Sequence, residues 1–127
     1  MKKSIYLFFV MCGISVLSHA QTNTDSISFD QLVFDYGTIA QGSDGNCEFT
    51  LTNNGENPII LSNVRASCGC TVPTWPRTPI EPGDTAVIAV KYDTKRIGRF
   101  NKAITVYSNA ANSPVVLRIM GSVEVAK

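Results

Sequence analysis

The stretch CEFTLT (residues 47–52) alternates strictly between apolar and polar residues. Successive side chains of a β-strand point to opposite faces of a sheet, so this alternation places Cys47, Phe49 and Leu51 on one face. We therefore predict a strand with one face in a hydrophobic core and the other face in contact with water.

Strands and turns are predicted on both sides of this stretch. The turn NNGENP (53–58) and the apolar stretch 59–64 predict a hairpin with residues 47–52. IEPGD (80–84) is a reversal signal, because proline fixes φ and glycine tolerates a positive φ. No stretch after residue 21 keeps a helical period with capping signals, so almost no helix is expected. The remaining predicted strands are residues 29–36, 85–92, 100–107 and 115–125, with Ala86, Ile88, Val90, Tyr92, Ile104, Val106, Val115, Leu117, Ile119, Val123 and Val125 expected in the core.

Short strands separated by turns indicate an all-β protein. We predict an immunoglobulin-like antiparallel β-sandwich of about seven strands, in which residues 21–127 form a single domain. Two well-separated cysteines on either side of a tryptophan would indicate an antibody-type domain, but Cys68 and Cys70 lie too close together to join opposite sheets. The expected relatives are sandwiches that lack this disulfide.

The N-terminus carries the parts of a cleavable secretory signal. A short basic start precedes an apolar run, and SHA (18–20) is a small-x-small site. This pattern predicts residues 1–20 as a signal peptide with cleavage after Ala20, and a periplasmic or secreted protein. The apolar run is shorter than the roughly 20 residues that span a bilayer, so no permanent membrane span is expected after cleavage. A lipid anchor on Cys12 is disfavoured, because Met11 stands where a small residue is expected.

The charge of the chain argues against a nucleic-acid partner. Lys and Arg number 11 against 10 Asp and Glu, and the loss of Lys2 and Lys3 with the signal peptide leaves 9 against 10. The C-terminal half is nevertheless basic. Its run KRIGR (95–99) could attract an anionic glycan, a lipid or an acidic protein. The favoured interpretation is a solvated hairpin whose charges keep a sheet edge from pairing.

The tightest chemical motif is SCGCT (67–71), with two thiols one residue apart in a predicted loop. Three interpretations of Cys68, Gly69 and Cys70 stay open: small apolar fillers of a tight crossover, a disulfide, or a metal site. In an extended chain the two Cα atoms are about 6.5 to 7 Å apart, at the upper limit for a disulfide, and a bend at Gly69 would bring them into range. A bridge in so small a ring would be strained and would exchange easily with other thiols.

Few donors are present for a metal. Structural zinc requires four ligands, and no histidine remains once His19 is cleaved off, so zinc is not expected. Copper(I) accepts two thiolates, and Met120 could add a thioether if it lies near the loop. Cys47 is predicted to be a buried free thiol, and a bridge to Cys68 or Cys70 is the less favoured alternative. No metal site and no cofactor are assigned.

The segment from Cys68 to Pro79, here called the 68–79 loop, contains the only tryptophan. Neighbouring prolines disfavour helix and hold Trp75 in an extended segment. Residues 66–83 are predicted to lack regular structure, and loops of that length tend to be functional or disordered. Trp75 is either a contact residue for a partner or, as the favoured alternative, a cover for one end of the sandwich. The candidate binding residues are Cys68, Gly69, Cys70 and Trp75.

An ordered set of motifs extends through residues 27–125. It includes FDYGTI (34–39), SCGCTVP (67–73), PGD (82–84) and GRF (98–100). Together these motifs resemble a bacterial family of exported domains of unknown function that is common in Bacteroidetes and is similar to major-sperm-protein-like sandwiches. The resemblance implies an immunoglobulin-like fold and an exported location. The family has no settled activity, so the resemblance implies no catalytic residue, and Cys47 is not part of the family pattern.

Common catalytic machinery is missing from the mature sequence, which has no imidazole base, no phosphate-cradling glycine loop and no distinctive carboxylate pair. We therefore predict that the protein is not an enzyme. The predicted function is an exported binding module of the cell envelope that contacts a protein or glycan through the 68–79 loop or a sheet edge. The alternative is a thiol-active protein that uses Cys68 and Cys70 for disulfide exchange or copper(I) binding. A purely structural envelope component ranks third.

Overall fold

The computed structural model describes Gly13 and residues 25–126 of the 127-residue chain. The predicted signal peptide (residues 1–20), its cleavage after Ala20 and the alternative lipid anchor on Cys12 lie outside the described residues, apart from Gly13. No helix in the described part of the chain is both long and apolar enough to cross a membrane.

The described residues form eight β-strands and no helix. The strands are β1 (Ile27–Phe29), β2 (Val33–Ala40), β3 (Asn46–Asn53), β4 (Leu61–Ala66), β5 (Thr71–Thr74), β6 (Thr85–Tyr92), β7 (Gly98–Ser108) and β8 (Val115–Glu124). They build two four-stranded sheets, with the order β1-β3-β6-β5 in sheet A and β2-β8-β7-β4 in sheet B. The predicted all-β sandwich is therefore confirmed, with eight strands in place of about seven.

The inner faces of the two sheets close on one hydrophobic core, because the apolar residues of each strand recur at every second position. Ala86 and Val115 pack against this core while remaining partly exposed. Val125 is the exception among the predicted core residues: it is 63% exposed, because β8 ends at Glu124. The predicted residues that are buried are Cys47, Phe49, Leu51, Ile88, Val90, Tyr92, Ile104, Val106, Leu117, Ile119 and Val123.

The predicted strand of residues 29–36 is divided between the two sheets. Its first part belongs to β1 in sheet A, and its second part belongs to β2 in sheet B. The carboxylate of Asp30 holds this change of sheet, since it accepts hydrogen bonds from the backbone N–H groups of Gln31 and Thr50, both at 2.9 Å. β2 then runs parallel to β8, so sheet B is mixed and the prediction of a wholly antiparallel sandwich is wrong for this pair.

The hairpin predicted for residues 47–64 is also wrong. β3 pairs with β1 and β6 in sheet A, whereas β4 pairs with β7 in sheet B. The buried side chain of Asn53 supports the crossing, because its Nδ2 atom donates to the carbonyl oxygens of Asn57 and Ile80. The basic run 95–99 likewise joins β6 of sheet A to β7 of sheet B and does not form a hairpin.

Asp25 is a buried carboxylate that contacts the connection between β3 and β4. Its carboxylate accepts the Asn57 side-chain amide at 2.9 Å and the backbone N–H of Glu56 at 2.9 Å. These bonds, the Asn57 side chain first, lower the pKa of Asp25 below its ordinary value. Gly55 permits the approach, because a Cβ atom there would lie 2.7 Å from Asp25 Cα. The contact therefore requires both an ionised carboxylate and a residue without a side chain.

We expect Asp25→Asn to lower the midpoint of thermal unfolding at about pH 7, because the neutral amide cannot replace a carboxylate that accepts several N–H groups. A carboxylate whose folded pKa is depressed stabilises the fold above its unfolded pKa of about 3.9, and this contribution is lost as the pH falls through the folded pKa. The difference in unfolding midpoint between wild type and variant should therefore decrease at acidic pH. Calorimetry over a pH series measures it; a gap that is independent of pH would contradict this role.

Candidate functional site

Residues 68–70 carry the chain from sheet B to sheet A. Ser67 is still bound to sheet B, since its N–H donates to Ala103 O at 2.9 Å and its Oγ accepts the Ala103 N–H at 3.2 Å. Three residues later, at Cys70, the sheet A ladder has begun, because Cys70 O accepts the Asp93 N–H at 2.8 Å. The thiol motif is therefore a crossover between the two layers that is anchored at both ends.

Cys68 and Cys70 form a disulfide in this crossover, with their Cα atoms 5.4 Å apart. The chain bends there: the Thr71 N–H donates to Cys68 O and the Cys70 N–H donates to Cys68 Sγ, both at 3.3 Å. The two cysteines differ in exposure, because Cys70 is only 4% exposed and Cys68 is partly exposed. Any reagent in solution therefore reaches the pair from the side of Cys68.

Cys47 is a free, buried cysteine and has no bond to the other two. It packs in the core beside the side chain of Tyr36, whose hydroxyl also donates to Gly45 O at 2.6 Å. Burial raises the pKa of the Cys47 thiol, so it stays protonated and unreactive at neutral pH. The structure therefore places Cys47 where the alternation of its strand predicted.

Met120, which a copper site would need as a third donor, is not next to the crossover. It lies in β8, and β7 separates β8 from β4, the strand that leads into Cys68. Within the described residues no group of three or more His, Cys, Asp or Glu side chains could hold a metal ion. The donors that a metal would need are not gathered around the thiol pair.

The 68–79 loop is more ordered than predicted, because it contains β5. Thr71–Thr74 pair with Ala89–Tyr92 at the edge of sheet A. Pro73 lies within this strand, and an edge strand tolerates proline where the missing N–H faces away from the sheet. The segment then leaves the sheet at Trp75, between Pro73 and Pro76.

Trp75 packs against the core cluster while part of its ring stays exposed. The guanidinium of Arg77 lies over the ring, 4.0 Å from its centroid, in a cation–π arrangement. The indole Nε1 atom is buried and has no hydrogen-bond partner among the described residues. Trp75 thus covers the end of the core and also reaches the protein surface.

A surface groove of about 420 Å³ opens beside Trp75. One wall is the proline-rich part of the 68–79 loop, and the other is the first half of β6 with the turn that precedes it. This second wall was not among the predicted site residues; the reversal signal of residues 80–84 marks its position but not its closeness to Trp75. The lining residues are Thr74, Trp75, Pro76, Thr78, Pro79, Ile80, Glu81, Asp84, Thr85, Ala86 and Val87.

The family described as Protein of unknown function (DUF1573) matches residues 27–123. The chain belongs to this family. The predicted family of domains of unknown function is thereby confirmed. No curated protein matches the chain in sequence.

Solved structures share the fold at low sequence identity. A protein of unknown function from Porphyromonas gingivalis W83 superimposes with a TM-score of 0.71 at 16% identity, over 81% of this chain and 50% of that one. The ASH / PapD-like domain 7 of human CEP192 gives 0.70 at 8% identity, over 88% and 94%. The Pseudomonas aeruginosa CupB2 chaperone gives 0.54 at 11% identity, over 75% and 54%. The chain spans half the length of the Porphyromonas protein. The predicted immunoglobulin-like sandwich is confirmed, because the CEP192 domain shares this fold.

We expect a thiol reagent to label no cysteine of residues 25–126 in the native, non-reduced protein, and to label Cys47 alone once a denaturant exposes it. Burial and a raised pKa keep Cys47 unreactive in the fold, and Cys68 and Cys70 have no free thiol. Mass spectrometry of the labelled peptides gives the count. Labelling of Cys47 in the folded protein would contradict its placement in the core.

Proposed function

We propose that this protein is an exported, non-enzymatic binding module of the cell envelope, periplasmic or secreted, that contacts a macromolecular partner through the 68–79 loop. The groove beside Trp75 carries the proposal. It combines an aromatic ring held by Arg77 with a wall of prolines, and rigid aromatic surface next to a cleft is typical of binding hot spots. The signal-like N-terminal sequence supports export.

The sheet edges next to β1 and β5 are less suited to binding than the loop. At β1 the side chain of Asn112 already occupies the edge, since its Oδ1 accepts the Ile27 N–H at 3.2 Å and its Nδ2 donates to Ile27 O at 2.9 Å. At β5 the missing N–H of Pro73 and the bond from Thr71 N–H to Cys68 O remove donors that an added strand would need. The open contact surface of sheet A is therefore at the loop and groove.

A protein partner is favoured over a glycan. Two prolines, Trp75 and Val87 line the groove together with three threonines and two carboxylates, and Val87 is 43% exposed although it is apolar. Val72, on the outer face of β5, is 57% exposed. Exposed apolar side chains of this kind match an apolar protein surface, and a chaperone is among the proteins that share this fold.

We expect Trp75→Ala to weaken capture of the partner from cell-envelope extracts by about tenfold or more, because truncation of an aromatic anchor removes most of its buried area. The matched control is Val116→Ala, which shortens an exposed apolar side chain on sheet B. Quantitative mass spectrometry of captured proteins compares the three forms. Identical partner lists for wild type and Trp75→Ala would remove Trp75 from the contact surface.

A second candidate function is disulfide exchange at Cys68. The unequal exposure of the two sulfurs favours it, as does the Cys70 N–H that donates to Cys68 Sγ and would stabilise a thiolate there. Starting from the disulfide, a partner's thiolate would attack Cys68 Sγ, form a mixed disulfide and release Cys70 as a thiolate. A second thiolate of the partner would then attack the partner sulfur of the mixed disulfide and release Cys68 as a thiolate, so the partner gains a disulfide and its two electrons pass to the Cys68–Cys70 pair.

We expect Cys70→Ser to form a mixed disulfide with oxidised glutathione at Cys68 at least tenfold faster than Cys68→Ser forms one at Cys70, because thiol exchange depends on access and thiolate fraction. Cys47, which is buried like Cys70, is the internal control in both variants. Intact-mass kinetics give the rates. Equal rates at positions 68 and 70 would contradict a directional exchange site.

A further inference from the structure

Along the edge of sheet A, the N-terminal part of β6 extends past the end of β5. β5 pairs only with Ala89–Tyr92, whereas β6 begins at Thr85. On its other side β6 remains paired with β3 down to Thr85. Residues 85–87 are therefore paired with β3 on one side and line the groove on the other.

The ladder of β6 shows which backbone groups face the groove. The Tyr92 N–H donates to Gly45 O on the β3 side, and the Asp93 N–H donates to Cys70 O on the β5 side. Backbone groups of successive residues in a strand alternate between the two neighbours. The backbone N–H and C=O groups of the odd-numbered residues of β6 therefore face β5. At Val87 and Thr85, which lie beyond the end of β5, these groups face the space beyond Thr74.

Prolines explain why β5 does not extend over this edge. The register Thr74 to Ala89 would place Pro76 opposite Val87, but proline has no N–H to donate to a ladder. The chain turns away instead, and the groove of about 420 Å³ opens between the prolines and β6. The interruption leaves a short strand edge inside a groove lined by both apolar and polar residues.

The far end of the groove is acidic. Glu81 and Asp84 line it, and neither forms an ion pair with another described residue. Arg77, the nearest cation in the loop sequence, is stacked on Trp75. A basic side chain supplied from outside would therefore match this end of the groove in charge.

We propose that the groove binds an extended segment of a partner protein, which adds a strand against residues 85–87 of β6. Its backbone pairs with Val87 and Thr85, an apolar side chain packs between Trp75 and Pro79, and a lysine or arginine lies near Glu81 and Asp84. The inference rests on the proposed binding function and states its partner as an extended, basic-ended peptide. The requirement for paired backbone groups favours a peptide over a glycan.

The test is a displayed library of random nonapeptides, selected on the protein and measured against two variants. Val87→Pro removes only the N–H that faces the groove, because the ladder between β6 and β3 uses the even-numbered residues, so the fold should be retained. Val87→Thr keeps the N–H and the branched shape. We expect selected peptides to carry a basic residue at one end, to bind Val87→Thr like wild type, and to lose at least tenfold in affinity for Val87→Pro. Circular dichroism and thermal unfolding check that both variants fold.

A second readout does not depend on any variant. A selected peptide with one backbone N-methyl group should bind at least tenfold more weakly, and the bound peptide should slow hydrogen exchange at the Val87 amide. Selection of no peptide, or of peptides whose binding is unaffected by Val87→Pro and by N-methylation, would overturn the inference. If the intact protein still captures a Trp75-dependent partner in that case, the proposed binding function stands without the added strand. Pairing of two copies at this edge, detected as a dimer that Val87→Pro abolishes, would also overturn it.

Discussion

Burial of the two inner sheet faces against each other is the interaction on which the structure depends. Phe49, Ile88 and Ile104 are among the side chains that are fully enclosed between the layers. Each such side chain contributes roughly 1.5–3 kcal/mol relative to exposure, which is the main favourable term in a protein with almost no ion pairs among its described residues. Every strand must therefore present its apolar side inward, whichever sheet it joins.

This arrangement leaves backbone polar groups without ladder partners in the connections between strands, because five of the seven connections change sheet. Each change takes the backbone out of one ladder before the next one begins, and side chains satisfy the groups left over. Asp30 and Asn53 act in this way, and Asp25 does so with a lowered pKa. The Cys68–Cys70 crossover has, in addition, a covalent bond across it.

The candidate site follows from the same arrangement. After the Cys68–Cys70 crossover the chain forms β5 at the edge of sheet A. Prolines end β5 after four residues, and the chain then leaves β6 at Trp75. The prolines that end β5 thus leave Trp75 and an unpaired stretch of β6 at the surface, a few residues along the chain from the partly exposed Cys68. Binding and thiol exchange are proposed for neighbouring parts of a single surface for this reason.

The sequence by itself determined the strand content and most of the core, since alternation is a local property: residues 47–52 and 85–92 show their buried faces directly. It also located the thiol pair and the tryptophan. The tertiary structure decided which sheet each strand joins, that β2 runs parallel to β8, and that residues 84–87 face Trp75 across a groove. These depend on contacts between residues far apart in the chain, and the turn at residues 53–58 has the same local signal whether it closes a hairpin or crosses between layers. Periodicity identifies the face of a strand that is buried, but only the packing of all eight strands selects its neighbours.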